Sequence, residues 1–110
     1  MELERLLAAG VMSVLGIATL TVGWLGHRGR LDYSLGGWTK QSASAESWAG
    51  AHRTIGAGFA VAGVVAGVTG LVALAVPLGA IGPVVAVGSI AMLVPVGIGV
   101  VAGTNRLQPR

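Results

Sequence analysis

Three stretches of this chain, residues 6–25, 54–76 and 84–102, contain no charged side chain. Each is close to the roughly 20 residues that a helix needs to cross about 30 Å of hydrocarbon. No feature constrains the fold more. Of the 110 residues, 54% are hydrophobic and only 10% are charged. Mean hydropathy is +0.81. A soluble domain of this size buries only part of its apolar surface, so it could not hide this much. The bilayer, not an internal core, is the expected solvent for most of the chain. Continuous apolar runs also exclude a β-barrel, whose strands alternate between lipid and lumen. The expectation is an all-α integral membrane protein: a single domain over 1–110, with three transmembrane helices and one polar loop.

The first run has a competing reading as a cleaved signal peptide. That reading expects a positive start, a shorter apolar core and a small-residue cleavage site. Here Glu2 and Glu4 precede the run, and Gly26-His27-Arg28-Gly29-Arg30 follows it. A retained helix is expected. Residues 26–47 form the polar loop, broken by Gly26, Gly29, Gly36 and Gly37, and expected to lie on the membrane surface through Leu31, Tyr33, Leu35 and Trp38. Ser44 is placed to cap the next helix, with Glu46 in its first turn, where a carboxylate suits the helix dipole. Pro77-Leu78-Gly79 and Gly82-Pro83 mark a break between the second and third runs. Pro95 falls inside the third, where it removes a helix hydrogen bond. Asn105, Arg106 and Arg110 close the chain in polar territory.

Three spans place the loop and the C-terminus on one side, with Arg28, Arg30, Lys40, Arg53, Arg106 and Arg110; the other side has Arg5 alone. The positive-inside rule then predicts a plasma-membrane protein with its N-terminus outside and its loop and C-terminus cytoplasmic. Trp24, Tyr33, Trp38 and Trp48 all belong to the loop side, where amphipathic rings favour the interface.

The net charge of +3 does not point to nucleic acid, because no basic stripe with interleaved aromatics exists to track a backbone. With no cysteine there are no disulfides or thiolate sites. His27 and His52 lack ligand spacing, so neither a metal nor a cofactor is expected. A hydrolase needs a nucleophile beside a base, and none is evident. Ion-coupled transport usually plants an ionisable residue within a span, and these spans have none.

Function therefore concentrates at the mouth of the second helix, Trp48-Ala49-Gly50-Ala51-His52-Arg53. The Trp48 ring, four residues before His52, can cover the imidazole. Arg53 lies one position around the helix, with Glu46 two turns away on a long reach. Two readings stay open: an interfacial anchor, with Arg53 on lipid phosphate, or a polar pocket that binds a lipid, a peptide or a protein partner. Below the mouth, Ala49, His52, Gly56, Ala60, Gly63, Gly67 and Gly70 recur at helical spacing and share a face. Gly63/Gly67, and Gly99/Gly103 on the third helix, are small-xxx-small pairs that allow close helix approach, either within the chain or in a homo-oligomer.

The loop and second helix resemble the SdpI/YfhL family of bacterial membrane proteins. That family has a Gly-x-Arg-Thr-Pro-like loop start, then a Trp and an Asn/His-Arg pair entering a glycine-rich helix. Gly37-Trp38-Thr39-Lys40 occupies the first part; Ser44-Ala45-Glu46-Ser47-Trp48 and Ala51-His52-Arg53-Thr54-Ile55-Gly56 occupy the second. The likeness covers roughly residues 24–70. It departs at the loop, where the family's arginine and proline fall on Trp38 and Lys40 and the loop is shorter. The resemblance implies a non-enzymatic multi-spanning protein of the toxin-immunity or membrane-signalling type. A structural accessory subunit of a larger membrane complex is the alternative.

Overall fold

The computed structural model describes residues 2–29, 33 and 37–109. It is all-α: α1 spans Glu2–His27, α2 spans Ala45–Ala75 and α3 spans Ile81–Asn105, with a single 3-10 turn at Leu78–Ala80 before α3. Among the described residues these three helices are long and apolar enough to cross a membrane, the pattern of a multi-pass membrane protein.

The helices overrun the uncharged runs, α2 most of all. Hydropathy changes at Thr54, but the helix starts at Ala45. Ser44 is its N-cap, in extended conformation, and its side chain accepts the Ser47 amide. Helix and span are thus different objects here: the first turns of α2 stand in polar ground above the apolar run. At the other boundary, Pro77 starts the 3-10 turn and Ala80 N–H donates to its carbonyl at 2.9 Å. Gly82-Pro83 is not part of this break. Both lie in the first turn of α3, where an amide has no intrahelical partner to lose. The helix continues through Pro95.

α2 is the middle helix. α1 and α3 both pack on it and barely touch each other. Both run antiparallel to it, and small residues set the distances. A Cβ on Gly63 would lie 2.6 Å from the Leu20 amide, and one on Gly56 would lie 2.6 Å from the Gly23 carbonyl. On the α3 side, a Cβ on Gly58 would lie 2.5 Å from the Pro95 carbonyl, and one on Gly103 would lie 2.8 Å from the Ala51 carbonyl. Gly99 faces the Gly58 Cα and the Thr54 carbonyl. Close backbone approach replaces the hydrophobic effect as the packing force between helices in lipid. Gly67 departs from the expected stripe. A Cβ there would meet open space, although a Cβ on Gly16 of α1 would lie 3.0 Å from the Gly67 amide nitrogen. Ala49, also placed on the stripe, is exposed.

Met12, Ala62, Ala66 and Met92 form the mid-depth core. Ile17, Val64, Val68, Leu71, Ile90, Leu93 and Ile98 point outward, as suits surfaces solvated by lipid. At the end remote from the loop, the Arg5 guanidinium donates to the Leu74 carbonyl at 2.8 Å. It supplies the cation that the last turn of α2 lacks. At the other end the close of α1, the start of α2 and the close of α3 come together.

Candidate functional site

That shared end has a closed half and an open half. Tyr33 organises the closed half. The loop was expected to rest on the membrane surface through Tyr33 and Trp38; instead Tyr33 inserts between α1 and α2. (Leu31 and Leu35, expected beside it, lie outside the described residues, as do Arg30, Asp32 and Gly36.) The Tyr33 hydroxyl donates to the Val22 carbonyl at 2.7 Å. Its ring stacks on His52 at 5.4 Å and on Phe59 at 5.5 Å. The phenol rests on Gly26, where any side chain would occupy the same space. Burial pushes the Tyr33 phenol above its usual range.

His52 is only 3% exposed. The Tyr33 backbone N–H donates to its Nε2 at 2.8 Å. A backbone amide can only donate, so Nε2 is the unprotonated nitrogen. The hydrogen is therefore on Nδ1, which donates to the Trp48 carbonyl at 2.9 Å. The Trp48 indole covers the imidazole with ring centroids 4.6 Å apart. Trp48 is itself buried in a cluster with Ala43, Ala51, Ile55 and Leu107, and Trp38 packs against that cluster. Its indole N–H has no hydrogen-bond partner among the described residues. His52 and Trp48 thus hold the loop to the helices, and both are buried.

The open half is a polar cleft of ≈ 770 Å³ between the start of α2 and the end of α3. Glu46 and Arg53 line it from α2, and Asn105, Arg106 and Gln108 from the other side. Glu46 and Arg53 were expected to be within reach of each other. Among the described residues they form no ion pair, and neither the Arg53 nor the Arg106 guanidinium has a hydrogen-bond partner. The walls are nevertheless fixed. The tail after α3 folds back onto the cap of α2: Ser44 N–H donates to the Gln108 carbonyl at 2.9 Å, and Gln108 N–H donates to the Ser47 hydroxyl at 3.1 Å. Ala43 and Pro109 make an antiparallel bridge, and Leu107 is buried beneath them. The residues after α3, where the chain was expected only to end in polar territory, instead tie the end of α3 to the start of α2 (Arg110 lies outside the described residues).

Sequence reasoning missed three groups of contributors: Tyr33, the residues after α3 and two glycines of α1. Tyr33 was read only as an interfacial ring. Leu107 and Gln108 gave no signal, because a short tail has no periodicity. Gly16 and Gly23 of α1 did give one: with Ala9 they recur every seventh residue and form the partner face for the α2 stripe. Among the described residues no cluster of His, Cys, Asp or Glu could hold a metal ion. No family model, curated protein or solved structure matches this chain.

Proposed function

We propose that this chain is a multi-pass membrane protein that acts by binding, with no chemistry of its own, and that partners are read at the open half of the loop-side mouth. The supporting observation is the cleft itself: two guanidinium groups, free of protein partners among the described residues, on walls that the folded-back tail holds in place. The resemblance to the SdpI/YfhL family gives this binding its role, in immunity to a peptide toxin or in membrane signalling. The orientation follows from the charges: N-terminus outside, loop and C-terminus in the cytoplasm of a cell whose plasma membrane holds the protein.

A second reading, an accessory subunit of a membrane complex, draws on the apolar groove of ≈ 890 Å³ between α2 and α3, lined by residues such as Val68, Val72, Pro83 and Val87. A partner helix could fill it.

Expression in a toxin-sensitive host separates the two. Resistance that depends on Arg53 and Arg106 supports the binding reading. No resistance, together with stoichiometric co-purification of other membrane subunits, replaces it with the accessory reading. Orientation is tested with Lys40→Cys in this cysteine-free chain, since Lys40 is exposed. An impermeant thiol reagent should label it only after the cells are opened. Labelling of intact cells reverses the topology.

A further inference from the structure

We infer that the cleft between α2 and α3 is a headgroup site for an anionic phospholipid, whose phosphate is held by Arg53 and Arg106. This assignment rests on reading the loop-side mouth as a binding site, and names its ligand class.

Depth comes first. Arg53 immediately precedes the uncharged run of α2, and Arg106 closely follows that of α3. Because the two helices are antiparallel, both side chains stand at one boundary of the apolar slab, at the level of lipid phosphates. Next is chemistry. A guanidinium offers five donors in a planar fork that matches phosphate oxygens, and charge-assisted bonds gain strength where water is scarce. Neither guanidinium is bonded among the described residues, so binding breaks no pair there. The positive end of α2, 31 residues long, adds to the same field.

Balance and room decide between ligands. Two arginines against Glu46 leave the cleft cationic, which favours an anionic headgroup over a zwitterionic one. At ≈ 770 Å³ the cleft accommodates a phosphate together with a polar substituent. The Glu46 carboxylate can accept hydrogen bonds from headgroup hydroxyls, and Asn105 and Gln108 can supply both donors and acceptors. The surface below also fits a lipid. Val61 on α2, and Ile98 and Val101 on α3, are more than half exposed and offer acyl chains an apolar bed. Free phosphate has no use for that bed.

The test uses the full chain, purified in detergent and delipidated, then mixed with phosphatidylglycerol and phosphatidylcholine of equal chain length. Lipid retention is read by native mass spectrometry. The expected result is preferential retention of phosphatidylglycerol, weakened about tenfold by Arg53→Ala and by Arg106→Ala. Arg53→Lys should lose several-fold, since an ammonium cannot make the planar two-point contact. Arg28→Ala is the control: Arg28 stands on the same side but stacks 5.4 Å from the Trp24 ring and lies outside the cleft. It should change retention less than about twofold, the behaviour of a merely screened charge.

Equal retention of the two lipids overturns the assignment. So does an equal loss in Arg28→Ala, which would mean general attraction rather than a site. Displacement of the lipid by millimolar inorganic phosphate overturns the lipid source in favour of a free anion. None of these readouts needs a known partner, so failure here leaves the resistance assay to judge the wider function.

Discussion

His52 and Arg53 are adjacent in sequence, yet one is 3% exposed and locked between Tyr33 and Trp48 while the other lines an open cleft. The helix itself makes the difference. One residue is a rotation of about 100°, enough to carry a side chain from a packed seam to the outer face. On the seam, most polar atoms removed from water need a partner. His52 finds them in a loop amide and a helix carbonyl. On the outer face the first turns of α2 stand above the apolar run, and the Arg53 guanidinium makes no hydrogen bond to the described residues. A pair of adjacent polar residues thus divides into one held within the fold and one left exposed at the cleft.

The closed half should be the fragile one. Gly26→Leu demands the space that the Tyr33 phenol fills, so the ring must leave. Loss of a partly buried aromatic together with overpacking should cost about 3 kcal/mol. Unfolding in detergent would register this, and a protease would cleave more readily after Lys40. An unchanged midpoint would mean that Tyr33 contributes nothing to the fold. His52→Ala should cost less, about 1–3 kcal/mol, because it leaves the Tyr33 amide without its acceptor. The same variant therefore should not leave the fold untouched while abolishing function, as a pure contact residue would.

The only tyrosine in the chain reports on the closed half directly. Its folded pKa is raised above 10.0 by burial, so folding favours the neutral phenol. The stability this contributes is complete below 10.0 and is lost as pH rises through the folded value. The phenolate absorbance should appear at higher pH in the wild type than in His52→Ala, where the loop is loosened. Coincident titrations would show that His52 does not hold the ring in place.

Much of this was legible in the sequence, for identifiable reasons. Uncharged length revealed the spans, because hydrocarbon tolerates no free charge. Ser44 and Glu46 revealed the start of α2, because capping is local chemistry. Glycine spacing revealed the α2 stripe but misplaced Gly67, because the stripe follows a helix face while contact also depends on where the partner helix crosses. Tyr33 and the tail were not legible. Both act through contacts between distant segments: Tyr33 with Val22 and His52, and Gln108 with Ser44 and Ser47. No local pattern announces such contacts. The division between His52 and Arg53 was half visible, since a helical count separates their faces, but the element covering the His52 face came from the loop.

The smallest expected effect is the most discriminating. Arg53→Ala should change stability by no more than about 0.5 kcal/mol, the usual range for a surface substitution away from special features. Removing this guanidinium leaves no buried acceptor unpaired, since no hydrogen bond ties it to the described residues. It opens no cavity, since the side chain lines a cleft and is exposed. The backbone at Arg53 should hold as well, because α2 continues through it for several turns on either side. An unfolding midpoint equal to wild type, beside a tenfold loss of lipid retention, assigns Arg53 to recognition. A loss of more than about 1 kcal/mol would instead make Arg53 part of the scaffold, as His52 is. The two halves of the mouth would then be one structural unit, and the case for a binding cleft would rest on Arg106 alone.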